Sequence, residues 1–147
     1  MSQVHQASAV AIEGRAVLIE GPPGSGKSSL ALALIDRGAV LIGDDAVMLD
    51  LIDGHVVASP HPNVAGLIEI RNVGLVTMPV VGGVPVALVL VLDRMAPRHI
   101  EAAEWVMRAG IALPSVRLWP DSPVLPLRTE AALRHYGRDP AIPRQAR

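Results

Sequence analysis

Apolar residues along this chain recur in runs and spacings that mark out its elements one by one. Residues 16–20 form a short, almost wholly apolar run (Ala16, Val17, Leu18, Ile19) closed by Glu20, and predict a buried strand. A glycine-rich stretch follows, and residues 29–37 then place Leu30, Ala31, Leu34 and Ile35 at helical intervals before Gly38, a C-terminal stop. Residues 40–42 predict a second strand ending at Gly43-Asp44-Asp45. Residues 47–51 and 55–58 flank Asp53-Gly54 and predict a hairpin, because Asp-Gly supplies the positive φ angles that a two-residue turn needs.

Residues 67–71 and 75–78 predict short strands either side of Asn72-Val73-Gly74, and Val84–Leu92 predicts the most deeply buried strand of all. Residues 101–109 put Ala102, Trp105, Val106 and Ala109 on one helical face and predict a helix; residues 129–136 predict another, capped by Thr129. Between them Pro114, Pro120, Pro123 and Pro126 make residues 113–127 an ordered loop or short edge strands. The expectation is an α/β fold with a mixed sheet, one domain over residues 1–138 and a fraying tail over 139–147.

Composition narrows the function classes. The 147 residues are 50% hydrophobic and 18% charged, which suits one compact domain with its own core. Only 2% are aromatic, with no Phe, so Val, Leu, Ile and Ala must fill that core. A net charge of -1 and few aromatics leave neither an electrostatic footprint for a phosphate backbone nor a stacking platform, so nucleic acid is not an expected partner. The N-terminus lacks the makeup of a secretory signal, and the longest apolar stretch, Val84–Leu92, is interrupted by Pro85 and less than half of what spans a bilayer. No membrane segment is expected. The absence of cysteine removes disulfide, thiolate-metal and thiol chemistry and fits a cytoplasmic location.

The chemistry begins at Gly21-Pro22-Pro23-Gly24-Ser25-Gly26-Lys27-Ser28, a full Walker A pattern with a predicted strand before it and a predicted helix after it. Such a loop turns successive backbone N–H groups around phosphate oxygens, and the following helix adds its positive dipole end. Lys27 reaches the β and γ phosphates and Ser28 offers its hydroxyl to magnesium; with Ser29 opening the helix, this is the candidate segment for ATP and Mg2+. Phosphoryl transfer also needs a proton acceptor, and Asp44 and Asp45, at the carboxyl end of the next strand, are the candidates. Strand alternation would aim one at the phosphate and the other at backbone or magnesium. Glu69, in Leu67-Ile68-Glu69-Ile70-Arg71, must face solvent, be paired or bind metal, and Arg71 on the same face would form a salt bridge with it or clamp a phosphate. On composition alone His5 reads as a polar residue ahead of the first strand, on a mobile N-terminus.

Taken together, His5, the Walker A loop with its helix, Leu41-Ile42-Gly43-Asp44-Asp45 and Glu69-Ile70-Arg71-Asn72-Val73-Gly74-Leu75 resemble the catalytic domain of HPr kinase/phosphorylase, over about residues 5–78. The resemblance implies a P-loop kinase fold similar to phosphoenolpyruvate carboxykinase, and ATP-dependent phosphorylation of a serine on HPr or an HPr-like phosphocarrier of the bacterial phosphotransferase system. It implies Asp45 as proton acceptor and, in the reverse phosphorylase reaction, proton donor. Lys27 and His5 are its implied catalytic partners, Ser28 and Glu69 its implied magnesium ligands. It also implies a hexamer. The features are those of a short alphaproteobacterial form without the family's N-terminal domain. Ser29 stands where the long form has Glu, Asn72-Val73 where it has Gly-Leu, and residues 80–83 replace its Arg-bearing loop without an Arg. Arg128 aligns with a basic residue near the family's C-terminal helix, and the last helix has no counterpart. Two other readings stand beside this one: a P-loop kinase for a small molecule, and a non-catalytic ATP-binding regulator.

Overall fold

A computed structural model describes residues 2–139. The elements are strands β1 (Ser2–His5), β2 (Ser8–Ile12) and β3 (Arg15–Glu20), helix α1 (Lys27–Asp36), strands β4 (Val40–Gly43), β5 (Val47–Ile52), β6 (His55–Pro60), β7 (Leu67–Ile70), β8 (Gly74–Thr77), β9 (Val84–Leu92), β10 (Glu104–Arg108) and β11 (Ile111–Leu118), and helix α2 (Leu125–Tyr136). Nine strands form one sheet in the order β1-β5-β6-β9-β3-β2-β4, with β11 and then β10 joined to β9; β7 and β8 make a separate hairpin. β9 runs parallel to β3 and β11, while the other pairings are antiparallel, so the sheet is mixed as the sequence predicts.

Strand alternation divides the core into two layers. Val17 and Ile19 of β3, with Leu88 and Leu90 of β9, face α1 and α2 and meet Leu30, Leu34 and Leu133. Ala16 and Leu18 point the other way, with Val89, into a second cluster closed by Leu49, Val56 and Leu113. The sheet is therefore covered on one side by helices and on the other by its own folded-over hairpins. Glu20 pairs with Val91, so β3 and β9 end at one level and their following loops lie side by side.

Several expectations are corrected. The N-terminus is not a mobile lead-in: β1 pairs with β5 and β2 lies buried between β3 and β4. Residues 101–109 contain no helix; they hold β10, with Trp105 and Met107 exposed and Val106 turned inward. The turn explains why: Ala109 (φ 50°) and Gly110 (φ 82°) are both left-handed, the geometry of a two-residue hairpin, and join β10 to β11. β11 is not an edge strand, since it is flanked by β9 and β10. Pro114 is tolerated because pairing with β9 begins only at Ser115, so its missing N–H removes nothing on that side. α2 begins at Leu125 instead of Thr129, whose buried hydroxyl donates to the Leu125 carbonyl one turn back. The tail over 139–147 lies, apart from Asp139, outside the described residues.

Candidate active site

The phosphate loop leaves β3 at Glu20 and enters α1 at Lys27. Gly26 caps the helix with φ 103°, a left-handed conformation that a Cβ would strain. Gly21 passes so close to β9 that an added Cβ would meet the Leu92 carbonyl oxygen at 3.2 Å and Ser25 Oγ at 2.7 Å. Lys27 Nζ donates to the Gly21 carbonyl at 2.7 Å, holding the cation across the mouth of its own loop. Ser25 Oγ is buried and has no hydrogen-bond partner among the described residues, a donor suited to an anion in the loop.

Asp44 and Asp45 follow β4, and strand alternation is not what separates them. Asp45 has φ 69°, so the chain turns there and sends its side chain outward. Asp44 is 8% exposed and its carboxylate accepts three hydrogen bonds: from Ser8 Oγ at 2.8 Å, Ser28 Oγ at 2.6 Å and the Glu69 backbone N–H at 3.1 Å. It thereby joins β2, the phosphate loop and β7. Ser8, which is buried, has no role in the sequence reading.

Glu69 and Arg71 are carried by the β7–β8 hairpin, which docks on α1 through Ile68. Both line the same cleft of about 460 Å³ as Lys27, Ser28, Asp44 and Asp45. Glu69 is exposed and lines the cleft, and among the described residues it makes no salt bridge with Arg71. The donor set near Ser28 consists of oxygens only, from a hydroxyl and carboxylates, and no group of three or more His, Cys, Asp or Glu gathers among the described residues. That fits a magnesium ion completed by phosphates and water and does not fit an all-protein cage.

His5, at the end of β1, is not free either. Its Nε2 lies 2.6 Å from Glu20 Oε2, and Arg108 grips the same carboxylate with Nη2 at 2.6 Å from Oε1 and Nε at 2.9 Å from Oε2. Burial alone would raise the pKa of Glu20, but the hydrogen bonds from His5 and Arg108 and the Arg108 charge lower it to about 2. Neither Glu20 nor Arg108 was a sequence candidate.

The family model described as the HPr Serine kinase C-terminal domain matches residues 1–87, more than half of the chain. The chain belongs to that family. The chain is similar to the HPr kinase/phosphorylase of Clostridium tetani, 40% identical over 70 residues, which cover 48% of the chain and 23% of that protein. It is 35% identical to the enzyme of the same name from Clostridium novyi over 95 residues, 60% of the chain and 31% of the relative. The chain thus spans less than a third of the length of these curated relatives. The solved structure of the Hpr(Ser) kinase/phosphatase from Coxiella burnetii superimposes with a TM-score of 0.80 at 30% identity, covering 90% of this chain and 88% of that one. The matched residues 1–87 contain the phosphate loop, Asp44, Asp45, Glu69 and the β1–β2 segment of this chain. Arg108 lies beyond them.

Proposed function

We propose that this domain is an ATP-dependent protein-serine kinase acting on HPr or an HPr-like phosphocarrier. The observation that carries this reading is the cleft itself: a complete phosphate loop with an outward-facing aspartate, Asp45, and a second, buried aspartate bonded to the loop serine. In this reading the loop of residues 21–28 with Ser29 binds the ATP phosphates through the backbone N–H groups of residues 24–29, Pro22 and Pro23 having none to offer, and Lys27 neutralises charge that grows on the γ-phosphoryl oxygens. A bound magnesium ion would supply further neutralisation of the phosphates, held by Ser28 with Asp45 and Glu69 on the cleft wall and completed by phosphate oxygens and water.

Asp45 takes the proton of the attacking seryl hydroxyl as the new O–P bond forms and the bond to the ADP oxygen breaks. Arg71, at the cleft rim, clamps a phosphate. The reverse reaction, phosphate attacking phosphoserine, would use Asp45 as the acid. A hollow of about 570 Å³ on the other side of the loop, walled by Pro22, Pro23, Leu92 and Pro120 with Arg94 beside them, is the seat for the nucleoside. A homo-oligomer, a hexamer by resemblance, would cover Trp105 and Met107 on the outer strand β10. No helix among the described residues is long and apolar enough to cross a membrane, and a cytoplasmic location accords with the proposed substrate.

The test is to incubate the protein with γ-labelled ATP, magnesium and the HPr-like carrier of the same organism. Acid-stable label on a carrier serine supports the reading. Nucleotide binding without label on the carrier, or with label on a small molecule, overturns it.

A further inference from the structure

Glu20 poses an electrostatic problem. Its carboxylate is only 15% exposed and stands one residue before a loop built to receive several negative charges. An uncompensated anion there would repel the phosphates, and the interaction is strongest where water is excluded. The structure answers with Arg108, whose guanidinium meets both carboxylate oxygens in the planar, bidentate manner that only arginine offers. Arg108 lies 88 residues away in sequence and reaches Glu20 from the tip of the β10–β11 hairpin, whose tight Ala109-Gly110 turn fixes its approach. With Arg108 in place, the remaining acceptor capacity of Glu20 is directed at His5 Nε2.

We propose that Glu20 and Arg108 are positioning residues: Arg108 neutralises and orients Glu20, and Glu20 in turn holds the His5 imidazole by Nε2 beside the entrance to the phosphate loop. The proposal rests on the transfer reading above and on the catalytic part that the family resemblance implies for His5. The ionised carboxylate fixes the proton on Nε2, which sets the ring plane and leaves Nδ1 as the nitrogen that can change role. A purely structural clasp would need no imidazole. Here the segment that carries His5 to Glu20 also carries Ser8 to Asp44, so β1 and β2 fasten the N-terminal segment both to the strand end before the phosphate loop and to the buried aspartate of the cleft.

The test uses Glu20→Gln, Arg108→Met, Arg108→Lys and the double variant Glu20→Gln/Arg108→Met, with His5→Gln to assign the imidazole resonances. Imidazole ¹⁵N NMR of the wild type should give His5 a protonated, slowly exchanging Nε2, and Arg108→Met should lose that signature. ATP affinity, measured by titration, should fall about tenfold in Arg108→Met, where Glu20 is left unneutralised, and recover to within about threefold in the double variant. In the transfer assay Glu20→Gln should lower kcat by about tenfold or more with KM for ATP nearly unchanged, and should add less than about twofold to the loss in a His5→Gln background. Arg108→Lys should retain affinity but only part of kcat. An unchanged His5 spectrum in Arg108→Met, or a double variant that binds ATP more weakly than either single one, overturns the proposal. Those two readouts need no turnover, so they judge it even if the wild type transfers no phosphate, an outcome that would sink the kinase reading separately.

Discussion

Asp44 and Asp45 are consecutive residues with opposite surroundings: Asp44 is buried and accepts hydrogen bonds from Ser8, Ser28 and the Glu69 N–H, whereas Asp45, at φ 69°, opens onto the cleft. The two should therefore fail in different ways. Asp45→Asn removes the proposed proton acceptor and should lower kcat by about 10² to 10⁴ while ATP titration and melting temperature stay near wild type. Asp44→Asn turns an amide N–H₂ toward donors and should cost about 1–3 kcal/mol of stability. A thermal melt beside an ATP titration separates the two variants, and a stable Asp44→Asn would contradict the bonding described.

Lys27→Ala removes the cation that spans the loop mouth. Transfer to the carrier should drop by about 10² to 10³ or more, equivalent to several kcal/mol of transition-state stabilisation. Labelled-phosphate transfer under saturating ATP is the measurement, and surviving turnover would mean that the loop does not serve catalysis.

Glu20 gives a pH signature with a defined sign. Its pKa falls from 4.5 in the unfolded chain to about 2 in the fold, so its contribution to stability is fully present above pH 4.5 and is lost as pH falls through 2. The difference in melting temperature between wild type and Glu20→Gln should accordingly shrink across that window. A difference that widened toward acid would reverse the assignment.

Ile68 is fully buried against the helical layer, and it is the anchor of the hairpin that carries Glu69 and Arg71. Ile68→Ala should cost about 2–5 kcal/mol, read by urea unfolding. Because β7 and β8 pair only with each other among the described residues, kinetics should also show a higher KM for ATP-magnesium from a loosened cleft wall.

The sequence was most legible where geometry is enforced locally. Asp53 and Gly54 are both left-handed in the turn between β5 and β6, as their dipeptide demands, and the glycine loop sits between strand and helix as its spacing requires. Residues 101–109 misled because Ala102, Trp105, Val106 and Ala109 satisfy a helical template by side-chain type, while the deciding signal was the Ala109-Gly110 turn. Prolines concealed β11, since a single sequence does not reveal which of its edges needs a donor at Pro114. The bond from Arg108 to Glu20 was out of reach altogether: no local periodicity relates residues 88 apart, and only the completed sheet and its hairpins bring them together.

The parallel pairing of β3 with β9 also has a consequence for biosynthesis. β3 and the phosphate loop leave the ribosome early, yet the strand that supports their far side ends at Leu92, and the hairpin that compensates Glu20 ends at Leu118. Contacts so distant along the chain form slowly and only after synthesis has passed them. A nascent chain of this domain therefore carries a legible nucleotide motif well before it owns a nucleotide site, and ATP can stabilise it only once synthesis has passed Leu118.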